Sequence, residues 1–171
     1  ETPWLTGEAI EFIDQATGPW CAHLSYIKPH WPYIVPDPYA SMYGSEHVPP
    51  ANRAAYERAD AHPVFESFMN GPVGRAFQDE EVRQKVIPAY MGLIKQCDDQ
   101  LGRLLDHLEK TNRLRDTMIV LTSDHGDYLG DHWLGEKNLF HDPSVKVPMI
   151  IFDPRSDADT TRGTTNDALV E

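Results

Sequence analysis

The chain has 171 residues and a mass of 19.4 kDa, with 40% hydrophobic and 25% charged residues, a composition that suits one folded domain and excludes a disordered tail. Its 15 Lys and Arg against 27 Asp and Glu leave a net charge of −12, which argues against a generic nucleic-acid or anionic-membrane surface. An anionic substrate stays compatible, because a bound metal or a local lysine outweighs the overall field at short range.

Leu5, Ala9, Ile10, Phe12 and Ile13 recur at helical spacing before Gly18-Pro19 and predict an amphipathic helix over about residues 3–15. Trp20 to Ile27 is short, apolar and bounded by proline, which predicts a buried strand. Residues 28–78 hold many of the 14 prolines and no sustained period, so a long loop with one short helix around 51–60 is expected. Loops of that length are usually functional or flexible. From Glu80 to Lys110 the helical pattern returns through Val82, Val86, Tyr90, Leu93, Ile94, Cys97, Leu101 and Leu108. Pro88 is expected to break or kink it, leaving a solid helix over about residues 88–110. Thr117 to Thr122 then predicts a second buried strand, Ser123 to Ser144 a polar loop, and Val147 to Phe152 a third strand. This alternation is that of an α/β protein with a mostly parallel sheet and flanking helices.

Cys21 and Cys97 make no disulfide framework and are read as small buried apolar residues. No apolar run reaches the roughly 18–20 residues of a membrane span, and no leader pattern follows Glu1, so a cytoplasmic setting is expected, with a periplasmic one as the alternative if an upstream signal peptide was removed. Thr164 to Glu171 carries a capping residue and the first apolar positions of a further helix, as expected of part of a longer domain.

The strongest chemical signal is Ser123-Asp124-His125-Gly126-Asp127, directly after a predicted strand, where α/β sheets bind their ligands. Asp124 and His125 could share a metal only if the chain turns there, and Gly126 permits such a turn. A carboxylate with an imidazole suits Mn, Zn or Fe better than Ca. On spacing alone, a capping Asp124 and an ordinary loop His125 are the plainer reading. Lys137, at the far end of the same loop, would contact a tetrahedral anion if folded back; taken alone it reads as a solvated surface lysine. His30, between Pro29 and Pro32 in a segment expected to be extended, could protonate a leaving group or be a rigid surface residue. His132 and His141 read as structural, and His23 as a buried strand histidine. No phosphate-binding glycine loop, Gly-x-Ser-x-Gly, Cys-x-x-Cys or His-Glu-x-x-His is present.

Taken together, three stretches resemble the sulfatase group of the alkaline-phosphatase superfamily, most closely its phosphonate monoester hydrolases and arylsulfatases. They are Pro19 through Tyr33, Asp116 through Gly126 continuing to Gly135-Glu136-Lys137, and Val147-Pro148-Met149-Ile150-Ile151, with Lys95 through Leu105 similar to the preceding helix. The resemblance implies a metal-dependent hydrolase of sulfate esters or phosphonate or phosphate monoesters, acting on a small anionic ester. Asp124 and His125 would be metal ligands. His125 stands where many calcium sulfatases carry Asn, which points to manganese, with zinc, iron or calcium as alternatives. Lys137 would contact the anion and leaving group, and His30 would assist departure of the alcohol, making both catalytic and substrate-binding. One departure matters: neither Cys21-Ala22-His23-Leu24-Ser25 nor Cys97-Asp98-Asp99-Gln100-Leu101 fits the Cys-x-Pro/Ala-x-Arg pattern that yields the family's formylglycine nucleophile. The resemblance therefore implies residues 1–171 as the middle and later part of a catalytic domain, inactive alone, with the nucleophile upstream. The alternatives are a non-catalytic metal-binding or interaction module of the same fold, or a phosphatase or phosphotransferase with a Ser or Thr nucleophile.

Overall fold

The computed structural model describes residues 1–168. Helix α1 runs from Thr2 to Gln15 with Pro3 in its first turn, where a missing N–H costs nothing. Its inward face is Thr2, Thr6 and Ile13; Trp4 and Phe12 stay exposed. The buried Thr6 hydroxyl is satisfied by Thr2 O at 3.0 Å and the Tyr26 hydroxyl at 2.7 Å.

The predicted strand Trp20–Ile27 does not form. The segment has no ladder partner among the described residues, and Cys21 and His23 are exposed, which corrects their reading as buried. A strand exists through its cross-strand hydrogen bonds, and apolar composition alone does not supply them. The proline-rich stretch that follows is more ordered than expected. It contains α2 (Tyr56–Ala59), α3 (Pro63–Met69) and α4 (Pro72–Gln78). Only α2 falls where a helix was predicted. Pro63 and Pro72 occupy first turns, so they start α3 and α4, and the His62 imidazole caps α3 by accepting the Val64 N–H at 3.3 Å.

Helix α5 spans Glu80–Lys110, 31 residues, with the Asp79 carboxylate capping its first turn at the Glu81 N–H, 2.9 Å. It continues through Pro88, contrary to expectation. The proline removes one backbone bond, and burial of Arg83, Ile87, Gly92 and Leu93 holds the helix on both sides of it.

Strands β1 (Ile119–Thr122) and β2 (Met149–Phe152) form where expected and pair with each other, antiparallel, Val120 opposite Ile151 and Leu121 opposite Ile150. The parallel pairing anticipated from the helix–strand alternation is not represented among the described residues, because the connection from β1 returns through the Ser123–Ser144 loop. The first was expected to be buried, yet Val120 is 53% exposed; in β2, Ile150 and Ile151 are each 60% exposed. No layer covers this ribbon among the described residues. The buried apolar cluster lies instead under the loop after β1, where Met69, Tyr128 and Leu134 meet Phe65, Trp133 and Leu139. The helix predicted from Thr164 is not formed through Ala168, and its remaining residues lie outside the described ones.

Arg83 anchors that loop. Its side chain is 2% exposed and donates to Leu129 O (3.0 Å), Pro49 O (2.9 Å) and the Glu80 carboxylate (2.8 Å). Arg83→Ala leaves two inward carbonyls without a donor, so urea unfolding of this variant is expected to show a loss of about 3 kcal/mol. A loss below about 1 kcal/mol would contradict the anchoring role.

Candidate active site

Beyond the end of β1, the chain turns at Ser123-Asp124-His125-Gly126. The Ser123 hydroxyl donates to His125 O at 2.7 Å, and the His125 N–H donates to Asp124 Oδ1 at 3.1 Å, so the turn is closed locally. Gly126 is needed here for close approach, since a Cβ at this position would stand 2.0 Å from Pro143 O while the Gly126 N–H donates to Ser144 O at 2.7 Å. Gly126→Ala is expected to cost roughly 2–3 kcal/mol in thermal or urea unfolding, because backbone on both sides cannot yield cheaply. A wild-type melting curve for this variant would show the contact to be dispensable.

The turn brings Asp124 and His125 together. His125 Nδ1 lies 2.7 Å from Gly126 O, a carbonyl that only accepts, so Nδ1 carries the proton and Nε2 presents its lone pair. Asp124 Oδ2 is 3.5 Å from that Nε2. A carboxylate oxygen and an imidazole nitrogen whose other nitrogen is tied to backbone are a fitting part of a divalent transition-metal site. Among the described residues no further His, Cys, Asp or Glu completes a set of three.

His30 meets this pair from a different segment, its ring 6.2 Å from that of His125, edge to face. Its segment is a closed turn and not the extended stretch anticipated from the prolines. The Lys28 ammonium curls it by donating to Pro32 O (2.7 Å) and His30 O (3.4 Å). His30 Nδ1 donates to Trp31 O at 2.7 Å, which leaves Nε2 as acceptor for Lys137 Nζ, also at 2.7 Å. Lys137 is thus partly buried against His30 and not a solvated surface residue; Ser144 Oγ fixes its backbone by donating to Lys137 O at 2.8 Å. Asp124, His125, His30 and Lys137 form one cluster.

The loop leading to Lys137 is strained. Leu129, His132, Trp133 and Glu136 all have positive φ (46°, 52°, 64° and 59°), each costing of order 1 kcal/mol or more. Gly130, at φ 103°, relieves one such position. What holds the rest is a dense set of bonds: His132 N to Asn52 O, Trp133 Nε1 to Ala54 O, and Arg83 to Leu129 O. His132 and His141 stack at 4.3 Å and are tied to Glu57 and Tyr128 respectively, which agrees with their structural reading. Two groups carried no predicted role. Asp127 accepts from Leu129 N, Glu136 N and the Tyr33 hydroxyl at 3.1, 3.1 and 3.0 Å. Burial raises its carboxyl above the ordinary carboxylate value, and the bonds from Leu129, Tyr33 and Glu136 pull it back toward ionisation. Burial also raises the Tyr33 phenol, with Asp127 adding to the effect. The signals were the second Asp of Ser-Asp-His-Gly-Asp and the Tyr closing Pro-His-Trp-Pro-Tyr.

The fold is a portion of an α/β domain of the alkaline-phosphatase-like class, and the family model for sulfatases matches residues 4–171. The chain belongs to the sulfatase family. It is similar to the phosphonate monoester hydrolase of Agrobacterium radiobacter, with 34% identity and a TM-score of 0.82 over 90% of this chain and 33% of that one. It is also similar to the multifunctional alkaline phosphatase superfamily protein PehA of Trinickia caryophylli, 35% identical over 90% of this chain and 32% of PehA. The choline-sulfatase of Rhizobium meliloti is 33% identical over 82% of this chain and 28% of its own length. The chain spans about a third of the length of these relatives.

Proposed function

We propose that the whole protein is a metal-dependent hydrolase of small sulfate esters or phosphonate or phosphate monoesters, and that residues 1–171 supply its leaving-group side and part of its metal site. The carrying observation is the 2.7 Å contact between Lys137 Nζ and His30 Nε2 beside the Asp124–His125 pair. Asp124 and His125 would hold the metal, with manganese favoured by the mixed oxygen and nitrogen donors. When bound it would act as a Lewis acid on the ester's anionic centre.

The chain's own residues handle the proton. The Trp31 carbonyl keeps the His30 proton on Nδ1, so the hydrogen pointing into the site belongs to Lys137 Nζ. An ester oxygen entering beside this pair meets an ammonium donor and an imidazole that can relay its proton. Neither cysteine is suited to start the reaction. Burial pushes the Cys97 thiol up to about 11, and it donates to Lys28 O at 3.3 Å; Cys21 is exposed and outside the cluster's hydrogen bonds. A formylglycine supplied by sequence outside these 171 residues completes the reading.

The test is turnover of 4-nitrophenyl sulfate, 4-nitrophenyl phenylphosphonate and 4-nitrophenyl phosphate. The metal-replete full-length protein is expected to hydrolyse at least one, and the 171-residue chain alone none. Silence of the full-length protein on all three would refute the hydrolase reading, and turnover by the isolated chain would refute the external nucleophile.

A further inference from the structure

Hydrogen bonds between the His30 turn (residues 28–34) and the loop after β1 (residues 123–146) number two among the described residues: Lys137 to His30, and Tyr33 to Asp127. The second is the more strongly anchored. Asp127 follows Gly126, which is pinned to Ser144, and Tyr33 packs its ring edge-on against Tyr90 of α5 at 6.2 Å.

The other carboxylate oxygen faces the opposite way. Asp127 Oδ1 accepts the N–H groups of Leu129 and Glu136, two of the residues held at positive φ, and Glu136 immediately precedes Lys137. One side chain therefore grips the strained loop at both ends with Oδ1 and the His30 turn with Oδ2. All three partners are donors, so the carboxylate is fully engaged without an internal proton.

We propose that Asp127 is a positioning residue that couples His30 to Lys137, setting the distance at which the pair meets the leaving group. The proposal rests on the hydrolase reading above. Its cause is geometric: Lys137 is a long flexible side chain, and a displacement of about 1 Å of a catalytic group can cost about 100-fold in rate. Without Oδ1, the N–H of Glu136 loses its acceptor, and the left-handed residue before Lys137 is held only through carbonyls, its own by Tyr128 N and that of Lys137 by Ser144 Oγ, so the loop carrying Lys137 loosens. Without Oδ2, the His30 turn keeps only the bond it needs for chemistry.

The experiment compares Asp127→Ala, Asp127→Asn and Tyr33→Phe in the full-length protein, each with a 4-nitrophenyl ester and with the corresponding unactivated alkyl ester. A nitrophenolate leaves with little help, whereas an alkoxide needs the proton. Asp127→Ala is expected to lower kcat for the alkyl ester by about 100-fold and for the nitrophenyl ester by less than about 10-fold. Asp127→Asn should recover most of that loss, because the amide oxygen can replace Oδ1 and the Tyr33 hydroxyl can accept from the amide nitrogen. Tyr33→Phe should show the same selectivity, about 10-fold on the alkyl ester. Equal losses on both esters would mean a merely structural role and overturn the proposal, as would no loss. If Asp127→Ala fails to fold, Asp127→Asn and Tyr33→Phe carry the comparison.

If the wild-type protein turns over neither ester, the hydrolase reading falls by itself. Crystal structures of the wild type and Tyr33→Phe then decide the coupling. Separation of Lys137 Nζ from His30 Nε2 in the variant alone supports it, and an unchanged contact in both overturns it.

Discussion

Lys137→Ala in the full-length protein is expected to lower kcat for an unactivated ester by about 10²–10⁴-fold, with a smaller loss for a nitrophenyl ester. The Trp31 carbonyl holds the His30 proton at Nδ1, and Nε2 accepts from Lys137 at 2.7 Å, so the pair's transferable proton originates on the lysine. Removing Lys137 takes away that proton and the positive charge facing the departing oxygen. His30→Ala leaves the ammonium in place and should cost less. On the proposed reading of the two side chains as one donor, His30→Ala combined with Lys137→Ala should be no slower than Lys137→Ala by more than a few-fold. Losses that multiply would show two independent groups and remove the basis for treating the contact as a proton-sharing pair.

Metal content gives the second large effect. Asp124→Asn keeps an oxygen that can accept from the His125 N–H, so the local turn survives while the charge of the proposed ligand is lost. Manganese affinity of the full-length protein should fall about 100-fold or more, since outer-shell partners alone are worth 10–100-fold. His125→Ala should act similarly. Its Nε2 is presented only because Nδ1 is committed to Gly126 O, and no described neighbour could replace it. Metal analysis after dialysis against a weak chelator reads this directly, without any activity assay. Undiminished stoichiometric binding in both variants would displace the ligand assignment from these residues.

Much of the site's chemistry was legible before the fold. Asp124 and His125 stood out because a polar Ser-Asp-His-Gly run directly follows an apolar strand, and β1 forms there. Lys137 and His30 were candidates from their loop positions but ambiguous singly, and the resemblance favoured a functional reading of both. Helix α5 was readable from its apolar period, and only the weight given to Pro88 was wrong, because burial on both sides outweighs one lost hydrogen bond. The proline-rich stretch misled in the other direction, as Pro63 and Pro72 begin α3 and α4. Apolar runs misled about burial. Trp20–Ile27 lacks a ladder, and β1 lacks a covering layer among the described residues, which no local pattern reports.

By itself, the amino-acid sequence determined what consecutive residues can decide: the α/β class, the apolar period of α5 and its C-terminal end, the position of β1 and β2, and the residue types that follow β1. The meeting of His30 with Lys137 joins residues 107 positions apart, and that of Tyr33 with Asp127 residues 94 apart. Such contacts depend on where α5 and the buried cluster of Met69, Tyr128 and Leu134 place the two loops, and on Arg83 and Asp127 holding a backbone that local preference would relax. Periodicity and capping are properties of neighbouring residues and act within a few turns of chain. The distance between two loops is set by packing, so the tertiary structure alone decided which candidates share a site.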